Sequence, residues 1–255
     1  MSRALLLGLY LMLGAMAASA TDAPLRIHAE GLVAHPGTLS IPVSWRYADA
    51  ALAASPTADA YLLGAALIRA SLIDAQTRLR AGVVYDLSEL ARRAGERGND
   101  ELMNRAVAMR GWLLTLPITG RRVAILDPRV VEITADSNLP VENGDVLHYP
   151  ARPSTVRVVG AVVATCELPL VPMQDARRYL AACPADPVAD QDSFFVIQPD
   201  GNVMHQGRAL RNRSEPLALA PGAVLYVPIA TSYTAEVGPD VNRDVAVFLS
   251  TQVLP

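Results

Sequence analysis

Residues 139–153 read LPVENGDVLHYPARP, and residues 217–231 read LALAPGAVLYVPIAT. Both place a glycine (Gly144, Gly222), then one residue, then Val-Leu, then two residues and a proline (Pro150, Pro228). Glycine permits a tight turn with positive φ. Val-Leu opens a strand that buries alternate side chains, and proline ends it because it cannot donate to a ladder. The chain therefore writes the same turn and strand twice. The flanks extend the pattern: VAILDPRVVEI (123–133) precedes the first copy and FFVIQPDGNVM (194–204) the second. Each half is expected to run strand, turn, strand, helix, strand, turn, strand. The expected fold is α+β, a duplicated module in which a small sheet wraps one helix.

The other segments fill in this frame. LRIHAEGLVAHPGTLSIPV (25–43) alternates and breaks at His35-Pro36-Gly37, which predicts a β-hairpin. SWRYADAALAAS (44–55) predicts a helix with Ser44 as N-cap and Pro56 beyond its end. From residue 61 to 116 strand alternation is lost. Ile68, Leu72, Ala75, Leu79, Val83, Leu87, Leu90 and Ala94 recur at steps of three or four. After GERGND, Leu102, Ala106, Met109, Leu113 and Leu116 do the same. Two apolar stripes joined by a polar turn predict an antiparallel helical hairpin. It is expected to be an excursion from the first module, so that the second module folds without it. Residues 121–153 and 154–170 are predicted to return to strands, MQDARRYLAAC (173–183) to be a short helix, Pro199-Asp200-Gly201 to be a hairpin turn, and residues 218–237 to form a final turn and strand pair.

The first twenty residues carry Arg3, an apolar run over 4–13 and Ala18-Ser19-Ala20, the three regions of a cleavable signal peptide. The expected mature chain starts at Thr21 and is periplasmic or otherwise exported. The chain has 255 residues and a formal charge of −3, and all its basic residues except histidine are arginine. Without a basic cluster, nucleic acid is a poor partner. Cys166 and Cys183 fit two states, a disulfide allowed by export or two buried thiols. Neither cysteine has a metal-ligand spacing to another Cys or His, and no metal or other cofactor is expected.

LPITGRR, LDPRVVEI, NLPVENGDVLHYPARPSTVRVVGAV, YLAAC, FFVIQPDG, APGAVLYVP and VNRDVAVFLSTQVLP, in that order, resemble the GfcC-like family of periplasmic capsule and exopolysaccharide biosynthesis proteins. The resemblance covers most of the mature chain and is most specific over 118–163. It implies two β-grasp domains similar to the SLBB-type ligand-binding repeats of outer-membrane polysaccharide exporters. The domain division expected is a signal peptide (1–20), a first β-grasp domain (21–60 and 117–152), a helical-hairpin insertion (61–116), a second β-grasp domain (153–237) and a C-terminal amphipathic helix (238–255). Val241, Val245, Phe248 and Leu249 share one face of that helix. It either packs on the second domain or docks on a partner or membrane.

No nucleophile, zinc or Walker motif occurs, so no catalytic residue is assigned. Asp127, Glu132, Asp136 and Glu142 are the carboxylates from which an acid–base pair would be drawn. The resemblance places Arg121 in a pocket where the helical hairpin re-enters the first domain. Its planar fork suits carboxylates of a glycan or partner; the alternative is a structural ion pair. Arg122, Arg152 and Trp112 are the neighbours expected to bind with it, although Trp112, like Trp45, also fits a core position. His148 is expected at the surface. The function implied is a non-enzymatic accessory factor for polysaccharide assembly or export, which binds glycan or export proteins. The alternative is a polysaccharide-modifying enzyme using acidic residues near Arg121.

Overall fold

The computed structural model describes residues 23–134 and 138–255. The signal-peptide segment, Thr21 and Asp136 lie outside the described residues. The chain forms two five-stranded sheets with a helical region between them, two β-grasp-like domains of an α+β protein.

The first domain begins with β1 (Leu25–Gly31) and β2 (Gly37–Ile41), an antiparallel pair around the predicted turn, followed by α1 (Tyr47–Ala54). The helix starts at Tyr47 rather than after Ser44, because Asp49 accepts the Arg46 amide at 2.9 Å and fixes the first turn there. β3 (Ala66–Ile68) follows, and then α2 (Ile73–Glu96) and α3 (Asp100–Thr115) make the helical hairpin. Asn99 caps α3 by accepting the Leu102 amide. The chain returns through β4 (Arg121–Arg122), α4 (Pro128–Ile133) and β5 (Val146–Tyr149). β5 is parallel to β1, giving the order β2-β1-β5-β3-β4.

The second domain repeats this path. β6 (Thr155–Gly160), β7 (Cys166–Pro169), α5 (Ala176–Ala181), β8 (Ser193–Ile197), β9 (Val203–Gly207) and β10 (Val224–Val227) give the order β7-β6-β10-β8-β9. β10 is parallel to β6, as β5 is to β1. Gly144 and Gly222 have φ of 86° and 85°, so both copies of the turn need the conformation that glycine supplies. A short α6 (Thr231–Thr234) leads to α7 (Val241–Ser250).

Three expectations change. Residues 128–133 are a helix, not a strand: Asp127 accepts the Arg129 amide, and Pro128 stands where a missing N–H costs nothing. Second, the counterpart of the turn between β8 and β9 is the helical hairpin itself, which joins β3 to β4. Residues 66–68, assigned from sequence to the helical stripe, are a strand paired with β4 and β5, so the excursion begins after Ile68 rather than at residue 61. Third, the cores divide unexpectedly. One cluster holds α1 with the first sheet, including Tyr47, Leu67, Leu147 and Tyr149. The other joins Val83, Leu87, Leu90, Met109 and Leu113 of the helical hairpin to the second sheet and to Val245 and Phe248 of α7. The insertion leaves the first domain in sequence and packs into the second in space.

Cys166 and Cys183 form a disulfide that ties β7 to the end of α5. Closing a loop of this length is worth about 3 kcal/mol in the chain-entropy model. Helix α7 lies on α2, β8 and β9, with Val241, Val245, Phe248 and Leu249 buried. Among the described residues no helix is long and apolar enough to cross a membrane.

Where α7 meets α2, Asp86 and Asp244 both sit above the usual carboxylate range. Burial is the larger cause for each; the second is a neighbouring carboxylate, Asp244 for Asp86 and Asp240 for Asp244. A carboxyl whose pKa is raised by folding binds its proton more tightly when folded. Stability therefore falls as pH rises from the ordinary carboxylate range through the raised value, and stays lost above it. Asp86→Asn is expected to raise stability at pH 7 by on the order of 0.5 kcal/mol. At pH 3 the gain should vanish. Thermal melts at both pH values check this, and an equal gain at both would show that charge is not the cause.

Candidate functional site

Arg121 and Arg122 alternate across the short strand β4, so their side chains leave on opposite faces. Arg121 points inward and is 5% exposed. Its Nη1 donates to the carbonyls of Gln252 at 2.7 Å and Ser250 at 3.3 Å, at the end of α7. Its Nη2 donates to the carbonyl of Pro199, in the tight turn of the second domain. Gln76 on α2 holds the same strand, donating to the Arg121 carbonyl at 2.8 Å and accepting the Gly120 amide at 2.8 Å. One guanidinium thus joins the base of the helical hairpin, the second domain and the C-terminal tail. Its Nε is buried without a partner among the described residues. Burial pushes the Arg121 pKa below the ordinary arginine value, and Asp200 offsets part of that shift.

Neither sequence alternative for Arg121 anticipated carbonyl partners alone. Removing this side chain leaves three acceptors on two elements short of a donor, each worth about 1–3 kcal/mol if buried and unsatisfied. Relief of the desolvated cation offsets some of that cost. Arg121→Ala is expected to lower stability by about 2–3 kcal/mol, with a visible fall in Tm. Arg121→Lys should recover only part, because one ammonium cannot span the fork. A melting point unchanged in Arg121→Ala would show that the clamp contributes nothing to the fold.

The other predicted binding residues are not gathered around Arg121. Arg122 lines a cleft of about 250 Å³ with Val123, Ile125, Leu139, Asp200 and Asn202. Arg152 is exposed and lies over the ring of Tyr61, 5.4 Å from its centroid. Trp112 is on α3 at the wall of the second domain, in a separate cleft of about 220 Å³ with Arg105, Met109 and residues 162–165. Trp45, as expected, packs against the core of the first domain.

Two of the candidate acid–base carboxylates, Asp127 and Glu142, have structural partners. Asp127 caps α4 and contacts the Arg129 guanidinium. Glu142 accepts from Arg69 at 2.7 Å and from Ser71 at 3.1 Å. Glu132 is exposed on α4. Among the described residues no group of three or more His, Cys, Asp or Glu side chains is placed to hold a metal ion.

Two further polar centres bear on the site. Arg69, inside the region 61–116 assigned to the helical hairpin, is 4% exposed. Its Nε and Nη2 grip both oxygens of Asp145, at 2.9 and 2.7 Å. Arg69, not Arg121, makes the ion pair that ties the start of the excursion to the sheet. The hydrogen bonding that Arg69 donates to Asp145 is the main cause that raises the Arg69 pKa. The second centre is His148, which is half-buried rather than at the surface. Its Nδ1 lies 2.9 Å from Glu30 and its Nε2 3.0 Å from the carbonyl of Leu254. The C-terminal tail therefore touches both domains: Leu254 also packs close to Gly64 and Gly222.

Two β-grasp-like domains, a helical excursion in place of the turn of the first, and a tail clamped by a buried arginine define the class of protein. Comparison with known families gives the same frame. The model described as Capsule biosynthesis GfcC, N-terminal matches residues 38–152, and Capsule biosynthesis GfcC C-terminal matches residues 164–254. The chain belongs to the GfcC capsule-biosynthesis family. It is also 29% identical over 178 residues to the uncharacterized protein YjbG of Escherichia coli (strain K12), covering 68% of this chain and 71% of that one.

Proposed function

We propose that this protein is an exported accessory factor in the assembly or export of a capsule or related exopolysaccharide, binding glycan or a protein of the export machinery without catalysis. The family gives the general role in capsule biosynthesis. The observation that favours binding over chemistry is that two of the candidate carboxylates near the first-domain junction are already engaged. Asp127 caps a helix, and Glu142 is held by Arg69 and Ser71. A glycosidase needs two carboxyl groups free to face one bond. The N-terminal pattern of residues 1–20 supports export.

The test is capture from a periplasmic extract with the chain from residue 21 onward, tagged after the exposed Pro255. Glycan and protein in the eluate are identified together. Recovery of polysaccharide or of export proteins, with the polysaccharide unchanged in length and substitution, is the expected result. Shortened or modified polysaccharide after incubation with the purified chain would overturn the proposal in favour of an enzyme.

A further inference from the structure

The stripe of α3 that enters the core is Leu102, Ala106, Met109 and Leu113. Trp112 lies beside that stripe and is only partly buried. Opposite it stands the turn between β6 and β7, residues 160–165, and the two enclose the cleft of about 220 Å³. Both walls are fixed. Val163 donates its amide to the Pro184 carbonyl at 3.0 Å, and the Cys166–Cys183 disulfide lies directly behind the turn. On the helix side, Arg105 is held by Asp186, its Nε donating at 2.8 Å. A site whose side chains are already ordered loses little entropy on binding.

The lining states what would fit. The indole offers a broad apolar surface with a polar edge. Val163 is 65% exposed at the rim, so the apolar surface continues outward from Trp112. Arg105 is already neutralised by Asp186, which argues against an acidic ligand. Its Nη1 makes no hydrogen bond among the described residues, and Thr165 brings a hydroxyl to the same cleft. The ligand should have an apolar face, a rim of hydroxyls and no net charge. The volume is below the roughly 300–1,000 Å³ of sites that enclose a drug-sized molecule, so one ring fits and the remainder of a chain lies outside.

We infer that this cleft is a subsite for one neutral pyranose unit of a polysaccharide, stacked on Trp112 and hydrogen-bonded at its edge by Arg105 and Thr165. The inference rests on the glycan-binding form of the proposed function and supplies its location and sugar class.

The experiment uses the chain from residue 21 onward with Trp45→Phe, so that Trp112 is the sole indole. Fluorescence is titrated with cellohexaose, maltohexaose and laminarihexaose as neutral probes and with hexagalacturonate as the acidic one. The expected result is a saturable change with at least one neutral probe and a weaker or absent response to the acidic one. Calorimetry with the responding probe should then show at least tenfold weaker binding for Trp112→Ala. Because Trp112 also touches the core, Val163→Asp is the second variant. It changes an exposed residue and should weaken binding tenfold with Tm unchanged. Undiminished binding in a folded Val163→Asp variant, a preference for hexagalacturonate, or no response to any probe would overturn the inference. If periplasmic capture recovers glycan equally well with Trp112→Ala, the subsite fails while the glycan-binding function stands. Capture of no glycan by the unaltered chain removes glycan binding itself.

Discussion

Replacing residues 74–115 by a short turn, which removes the helical hairpin between β3 and β4, is expected to unfold the second domain while leaving the first sheet paired. This deletion inverts the expectation from sequence, in which the helical hairpin belonged to the first module alone. The shared core decides the outcome. Val83, Leu87, Leu90, Leu102, Met109 and Leu113 are each at most 5% exposed and pack in one cluster with the second sheet and α7. Burying one such side chain is worth about 1.5–3 kcal/mol. Six of them amount to roughly 9–18 kcal/mol, at or beyond the whole stability of an ordinary domain, about 5–15 kcal/mol. Hydrogen exchange reads the result directly. Amides of β6 and β10 should lose protection, and those paired between β1 and β5 should keep theirs. Full protection in β6 and β10 would show that the second domain has a sufficient core of its own.

Arg69→Ala is expected to cost about 3–5 kcal/mol, a larger loss than that of Arg121→Ala. Asp145 is 1% exposed, and Arg69 satisfies both its oxygens. Without that fork the carboxylate stays buried and uncompensated. It cannot swing out, because its Oδ2 also accepts the Glu142 amide at 2.8 Å within the turn around Gly144. Arg69→Lys should remain strongly destabilised, since an ammonium cannot match a two-pronged contact. Arg69→Ala combined with Asp145→Asn should recover part of the loss, because the stranded charge is gone. Chemical denaturation measures all three, and a loss below about 1 kcal/mol for Arg69→Ala would place the pair with weak surface bridges.

Much of this architecture was legible because a duplicated fold writes its turns twice. The motif around Gly144 and Gly222 marks the start of β5 and β10, the strands that the fold pairs in parallel with β1 and β6. A second repeated mark went unread. Gly31 and Gly160 end β1 and β6, and a Cβ at either would stand 2.1 or 2.2 Å from a carbonyl oxygen of the partner strand. The strand prediction for 128–133 followed Val130, Val131 and Ile133, whose branching suits strands. The Asp127-Pro128 start signal outweighed them in the fold. β3 was lost because Ile68 and Leu72 continue the helical stripe by coincidence of spacing, and three residues are too few to alternate visibly. The candidate site was less legible still. Arg69 and Asp145 are 76 positions apart, and no local pattern announces a pair that only the sheet brings together. Arg121 lies on β4, where the helical hairpin returns to the first sheet, but its partners are main-chain carbonyls, which every residue possesses and no sequence advertises.

The division of the core sets a timetable for the newly made chain. Helices α2 and α3 are synthesised, and leave the ribosome, well before the second sheet and α7 that cover them. In the interval the face carrying Leu87, Leu90 and Met109 has nowhere to go. A chain in that state offers exposed apolar surface to its neighbours, the usual route to aggregation. α7 and the segment through Leu254, which follow the second sheet in sequence, close both domains at once. Removing α7 and the residues through Leu254 would therefore leave the chain at that vulnerable stage, with the apolar face of the helical hairpin only partly covered.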